Sequence, residues 1–199
     1  SGVLSLSSSG FVDKDRIGLQ GHSWSGYQVA YIITRTDLFA CAMAGAPVAN
    51  MISAYGGIRG ESGKSRMIQY ERSQSRIGGS LWEKPLKFIN NSPLFFADNI
   101  HTPLLILHND NDGAVPWSQG LELFSAMRRL QKPCWMLVYN KEDHNLKEKS
   151  WGNRMDLTQR MYQFFDHYLK GSPAPQWMKK GIPAIRKSID NGLKFDEND

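Results

Sequence analysis

The stretch LQGHSWSGYQVA, residues 19–30, decides how the rest of the chain is read. An apolar segment, RIGLQG (16–21), runs into it, and a helix-compatible segment, YQVAYIITRT (27–36), runs out of it. Between them stand two serines, Ser23 and Ser25, with glycines at 21 and 26. A serine projected from a tight strand-to-helix turn needs small residues two before and two after it, because their side chains would crowd the neighbouring backbone. Gly21 meets the first requirement for Ser23, and Ser25 is the next smallest choice for the second. Ser25 as the projected residue would be flanked by Ser23 and Tyr27, so the turn centres on Ser23.

Three more strand-like segments follow: FACAMAGAP (39–47), TPLLILHND (102–110) and CWMLVYN (134–140). The near-continuous apolar run in the third is the pattern of a strand covered on both faces of a parallel sheet. Helical patterns lie between and after them. Residues 118–130 place Leu123, Phe124, Met127 and Leu130 on one face, and residues 155–170 carry a stripe of Leu157, Met161, Phe164, Phe165, Tyr168 and Leu169. Gly171 and Pro173 supply the stop. Strand and helix in alternation predict a mostly parallel α/β domain of about four strands with right-handed crossovers. Residues 51–100, rich in Gly and Arg and poor in periodic apolar positions, read as an irregular or short-helical excursion. In such folds it lies beside the carboxyl ends of the strands, where ligands bind. The whole chain, 1–199, reads as one domain, with 172–199 as a surface tail that wraps or frays.

Composition narrows the class. Hydrophobic residues at 41% mark a folded domain, and no run approaches the roughly 20 apolar residues that span a bilayer. The opening SGVLSLSSSG has no basic stretch leading into an apolar one, so no signal peptide is expected in it. The net charge of +5 comes from scattered residues without an aromatic-plus-basic signature, which argues against nucleic acid. Cys41 and Cys134 sit in apolar contexts and read as buried free thiols, leaving the compartment open. The five histidines lack metal-ligand spacing, so neither a metal nor a cofactor is expected.

A serine hydroxyl becomes a useful nucleophile only when a base takes its proton. The segment LHNDNDGAVPW (107–117) follows the third strand and offers Asp112 in a Gly-Ala turn, with Asp110 and Asn111 as competitors. The segment NKEDHNL (140–146) follows the fourth strand and offers His144 in a polar loop. Serine after the first strand, acid after the third and histidine after the fourth reproduce the chain order Ser…Asp…His of α/β-hydrolases. All three then emerge at one edge of a parallel sheet, where they can converge.

With these residues in place, the chain resembles the C-terminal catalytic domain of the prolyl oligopeptidase family of serine peptidases, near its dipeptidyl-peptidase and acylaminoacyl-peptidase branches. RIGLQGHSWSGYQ, AGAPV, the run from SPLFFADN through KEDHNL, and RMYQFFDHYLKG carry the resemblance over roughly residues 11–171, with 52–90 the least matched. The resemblance implies Ser23 as nucleophile, Asp112 rather than Asp110 as acid with His108 leading its loop, and His144 as base. It implies the backbone N–H of Trp24 as one oxyanion donor. It also places Val48, Met51 and Tyr55 in the pocket for the residue preceding the scissile bond. The family usually has glycine where this chain has Ser25, a departure that bears on the turn's geometry.

The family's hydrolase domain further implies earlier strands, a tyrosine-bearing loop for the second oxyanion donor, and an N-terminal propeller, none of which is matched here. The expectation is therefore the C-terminal part of the fold, with a bare edge on the first strand (16–21). Such an edge invites pairing. Two copies would pair there as a homodimer, or GVLSLSSSG would fold onto it. The implied activity is hydrolysis of short peptides in the manner of an exopeptidase or oligopeptidase. Two alternatives stay open: an esterase, since the same triad serves both reactions, and a fragment without activity that keeps an assembly role.

Overall fold

The computed structural model describes residues 2–186 and 189–196. In chain order it comprises α1 (Gly2–Ser7), β1 (Gly18–His22), α2 (Trp24–Ile32), β2 (Cys41–Gly45), α3 (Met51–Tyr55), α4 (Met67–Glu71), α5 (Pro85–Asn90), a 3₁₀ stretch (Pro93–Asn99), β3 (Leu104–Leu107), α6 (Ser118–Arg129), β4 (Cys134–Leu137), α7 (Trp151–Lys170) and α8 (Gln176–Lys179). The four strands pair in parallel in the order β1-β2-β3-β4. Their register puts His22 opposite Gly45, Gly45 opposite Leu107, and Leu107 opposite Leu137. All four strands thus end on one row, and the loops that follow them leave from the same edge.

Every residue of β2 and β3 is buried, as strands clad on both faces require. Ala42, Ala44, Leu104 and Ile106 pack with Val29 and Ala30 of α2, with Ile33 at its C-terminal cap, and with Leu123 and Met127 of α6. The alternate residues Cys41, Met43, Leu105 and Leu107 face α7, whose Leu157, Met161, Phe164, Phe165, Tyr168 and Leu169 form the expected stripe. Leu130 departs from its expected face: it lies at the C-terminal cap of α6 and is exposed. Gly171 ends α7 in the left-handed conformation, φ 73°, that glycine tolerates without strain. Both cysteines are free and buried, and burial pushes their thiols up to about 12.

The excursion after β2 folds into three short helices and the 3₁₀ stretch. The Asn50 side chain caps α3 by accepting from the Ile52 N–H, and Pro85 opens α5 where no N–H is needed. Their apolar sides form a separate buried cluster that includes Tyr55, Tyr70, Phe88 and Val115 and reaches Trp24. The tail is docked rather than frayed over its described part. Trp177 and Met178 are buried against the α7 face, and Arg160 and Gln163 donate to the Asn191 and Leu193 carbonyls. GVLSLS adds no strand to the edge of β1: it coils into α1, and Val3, like Ile17 and Leu19, packs against the core, so β1 has β2 as its one strand partner among the described residues.

Candidate active site

Ser23 directly follows β1. Its N–H donates to the Gly45 carbonyl at 2.8 Å, extending the β1–β2 ladder, and its own carbonyl accepts from Tyr27 N–H to start α2. Ser23 stands at φ 61°, ψ −121°, a conformation L-residues rarely adopt. This strained turn lifts the side chain off the sheet. Although Ser23 occupies the cap position of α2, its hydroxyl makes no capping hydrogen bond. Ser25 is accommodated because residue 21 has no side chain: a Cβ at Gly21 would stand 2.6 Å from the Ser25 carbonyl oxygen and 2.8 Å from its Cβ. The turn forms with serine at position 25.

The Ser23 hydroxyl oxygen lies 2.8 Å from Nε2 of His144, and Nδ1 of His144 lies 2.7 Å from Oδ2 of Asp112. A carboxylate only accepts, so Nδ1 carries the proton and Nε2 is left to accept from the serine. The Asp112 side chain is fully buried, whereas that of His144 keeps 16% exposure. The other Asp112 oxygen, Oδ1, accepts from the N–H groups of Ala114 and Val115, both at 2.8 Å. Burial by itself would raise the carboxyl. The hydrogen bonds from His108, His144 and Val115 N–H outweigh it and hold Asp112 well below the usual carboxylate range.

His108, the last position before the acid loop turns, donates through Nε2 to the Val115 carbonyl at 3.0 Å and lies 3.5 Å from Asp112 Oδ2. Asp110 and Asn111 do not compete with Asp112. The Asp110 carboxylate accepts from Lys141 N–H and Asn140, while Asn109 and Asn111 donate to the Asp143 carbonyl and carboxylate. The polar run after β3 is a brace that ties the Asp112 loop to the His144 loop.

Trp24 opens α2, so its N–H is one of the amides that a helix leaves without an internal acceptor. Val48, Met51 and Tyr55 are buried in the cluster that reaches Trp24. Two neighbours escaped sequence reasoning. The His22 ring packs 4.8 Å from that of His144, and burial, with the His144 charge beside it, holds His22 below its ordinary pKa. Its position beside Ser23 was the available signal. Arg66, from the excursion, donates to the Ala114 carbonyl, and no side-chain pattern encodes such a contact. A cavity of about 420 Å³ adjoins His144, walled by His22, Met43, Arg154 and Leu157 among others. Among the described residues no group of three or more His, Cys, Asp or Glu could hold a metal ion, and no helix is long and apolar enough to cross a membrane.

The parallel sheet, its clad faces and the convergence of loops at one edge define an α/β-hydrolase fold. Solved structures with this fold include a puromycin-hydrolyzing peptidase of Mycobacterium tuberculosis, with TM-score 0.73 and 24% identity, covering 84% of this chain and 24% of that one. An acylaminoacyl peptidase of Pyrococcus horikoshii superposes with TM-score 0.70 and 22% identity, covering 92% of this chain and 28% of that one. Residues 1–172 match the prolyl oligopeptidase family, and the chain belongs to that family. Among its relatives are an uncharacterized peptidase, YuxL, of Bacillus subtilis, 28% identical over 79% of this chain, and dipeptidyl-peptidase 5 of Porphyromonas endodontalis, 27% identical over 80%. The chain spans 23% and 22% of the length of these two relatives.

Proposed function

We propose that this chain carries the catalytic triad of a serine peptidase acting on short peptides. One observation carries the reading: an unbroken hydrogen-bonded line from the Ser23 hydroxyl through His144 to the buried Asp112 carboxylate, 2.8 and 2.7 Å per link. In this reading Ser23 Oγ attacks the scissile carbonyl while His144 Nε2 takes the hydroxyl proton. The imidazolium, its Nδ1–H held by ionised Asp112, passes that proton to the leaving amine. Water then repeats the attack on the acyl-enzyme, His144 again taking the proton, and releases the carboxylic acid and free Ser23. The Trp24 N–H donates to the developing oxyanion. The buried cluster of Val48, Met51 and Tyr55 backs the pocket for the residue preceding the scissile bond.

A fluorophosphonate probe tests this directly. The chain should acquire an adduct on Ser23 that Ser23→Ala abolishes, located by mass spectrometry. Labelling elsewhere only, or none, overturns the reading. Loss of one oxyanion donor slows other enzymes by about 10²–10³, so the adduct should form slowly if Trp24 is the sole donor. Hydrolysis of aminoacyl-proline amides in preference to p-nitrophenyl esters supports peptidase action, and the reverse preference replaces it with esterase action.

A further inference from the structure

Arg66 is 1% exposed, yet among the described residues it forms no ion pair with a carboxylate. A guanidinium taken out of water without a counter-ion is one of the most costly burials a protein makes. Its hydrogen bonds show where the charge is directed. One terminal nitrogen donates to the Ala114 carbonyl, and the other donates to the Tyr70 hydroxyl at 3.2 Å. The guanidinium also lies 5.9 Å from the centre of the Tyr70 ring.

The Ala114 carbonyl and the Val115 N–H belong to the same peptide unit. That N–H donates at 2.8 Å to Asp112 Oδ1. Arg66 and Asp112 are therefore joined through a single peptide group, cation on its oxygen and anion on its hydrogen. Each end polarises the peptide in the sense that strengthens the other bond. The Ala114 N–H, the second donor to Oδ1, sits in the same turn.

We propose that Arg66 is a positioning residue for Asp112: it locks the 112–115 turn through the Ala114 carbonyl, and its charge tempers the hold of Asp112 on the His144 proton. The proposal rests on the triad reading above. The other titratable and charged groups about the pair are His108 against Asp112, His22 and Arg154 beside His144, and Glu61 packed on Gly113. None of these changes when Arg66 is replaced, so a shift in His144 titration reports on Arg66. Removing a positive charge favours the imidazolium, and the His144 pKa should rise.

The test is an NMR titration of the His144 ring C–H, assigned by its loss in His144→Gln, in the wild-type chain and in Arg66→Met, Arg66→Gln and Arg66→Lys. Arg66→Met should raise the His144 pKa by about half a unit, and the acidic limb of Ser23 labelling should move with it. Arg66→Lys, which keeps the charge, should titrate like the wild type. If Arg66→Met does not fold, Arg66→Gln carries the comparison, being neutral and polar. An unchanged or lowered His144 pKa in the neutral variants, even with a lower Tm, overturns the proposal and leaves Arg66 a packing residue. A wild-type chain that titrates but does not label at Ser23 overturns the triad reading instead, while the shift still decides the role of Arg66.

Discussion

A β-carbon on Gly26 would stand 2.2 Å from the carbonyl oxygen of Gly45, so the first turn of α2 touches the end of β2 through a position that admits no side chain. The obstacle is backbone, which cannot swing aside. Gly26→Ala should therefore destabilise the chain by about 2–3 kcal/mol, as overpacked sites do, and should suppress labelling at Ser23. Ser25→Gly, at an exposed helical position, should cost only about 0.5–1 kcal/mol and leave labelling in place. Urea denaturation and the fluorophosphonate rate check both.

Asp112→Asn keeps the shape of the acid but removes its charge. It should slow Ser23 labelling by about 10³–10⁴, in line with the loss other triads suffer on this change. Asp110→Asn should leave the rate within an order of magnitude, because Asp110 braces the base loop and touches neither His144 nor Ser23. Equal losses from the two variants would reassign the acid.

The pH dependence of stability has two windows with the same sign. His22 is held below its ordinary 6.5, so the unfolded chain takes up the proton first and stability falls as pH drops below about 6.5. Asp112 is held below its ordinary 3.8, so its contribution is complete above that value and is lost at more acid pH. Urea midpoints at about pH 7.5 and 5.5 should differ in the wild type and differ less in His22→Gln. Equal differences in the two proteins would remove His22 from the account.

Among the described residues β1 has β2 as its one strand partner, and α1 adds no strand to its outer edge, an arrangement that invites pairing. Two copies joined along that edge should appear by light scattering as a dimer that dissociates on dilution. A monomer at every concentration excludes this pairing.

The four strands were legible because each is a short, largely apolar run, three of them closed by strong turn signals, and the near-continuous apolar run of β3 reads as buried on both faces. Ser23, Asp112 and His144 were legible as a set because each directly follows a strand, and parallel pairing brings strand ends together. Other features were not. The start of α7 at Trp151 precedes the apolar stripe because its first turn is exposed and leaves no periodic mark. GVLSLS has too few apolar positions to mark a helix, and its Val3 packs on the core within α1. Arg66 bonds a backbone carbonyl, a group that every residue has and no residue type announces. The separation of Asp112 from Asp110 likewise depends on which carboxylate the turn amides reach.

The brace between residues 109–111 and 140–143 has a consequence for how such a site can change. The Asp112 and His144 loops are stapled to each other by their own side chains, while Ser23 belongs to the neighbouring pair of strands and meets them through its hydrogen bond to His144 and the packing of His22 on the His144 ring. The site is thus two parts that meet at the His144 ring. A shorter or longer loop after β4 would have to bring a matching loop after β3, and a replaced serine turn would have to keep the fit of residue 22 to the His144 ring and of Gly26 to Gly45. Grafts that move the two loops as a unit should keep the Asp112–His144 hydrogen bond.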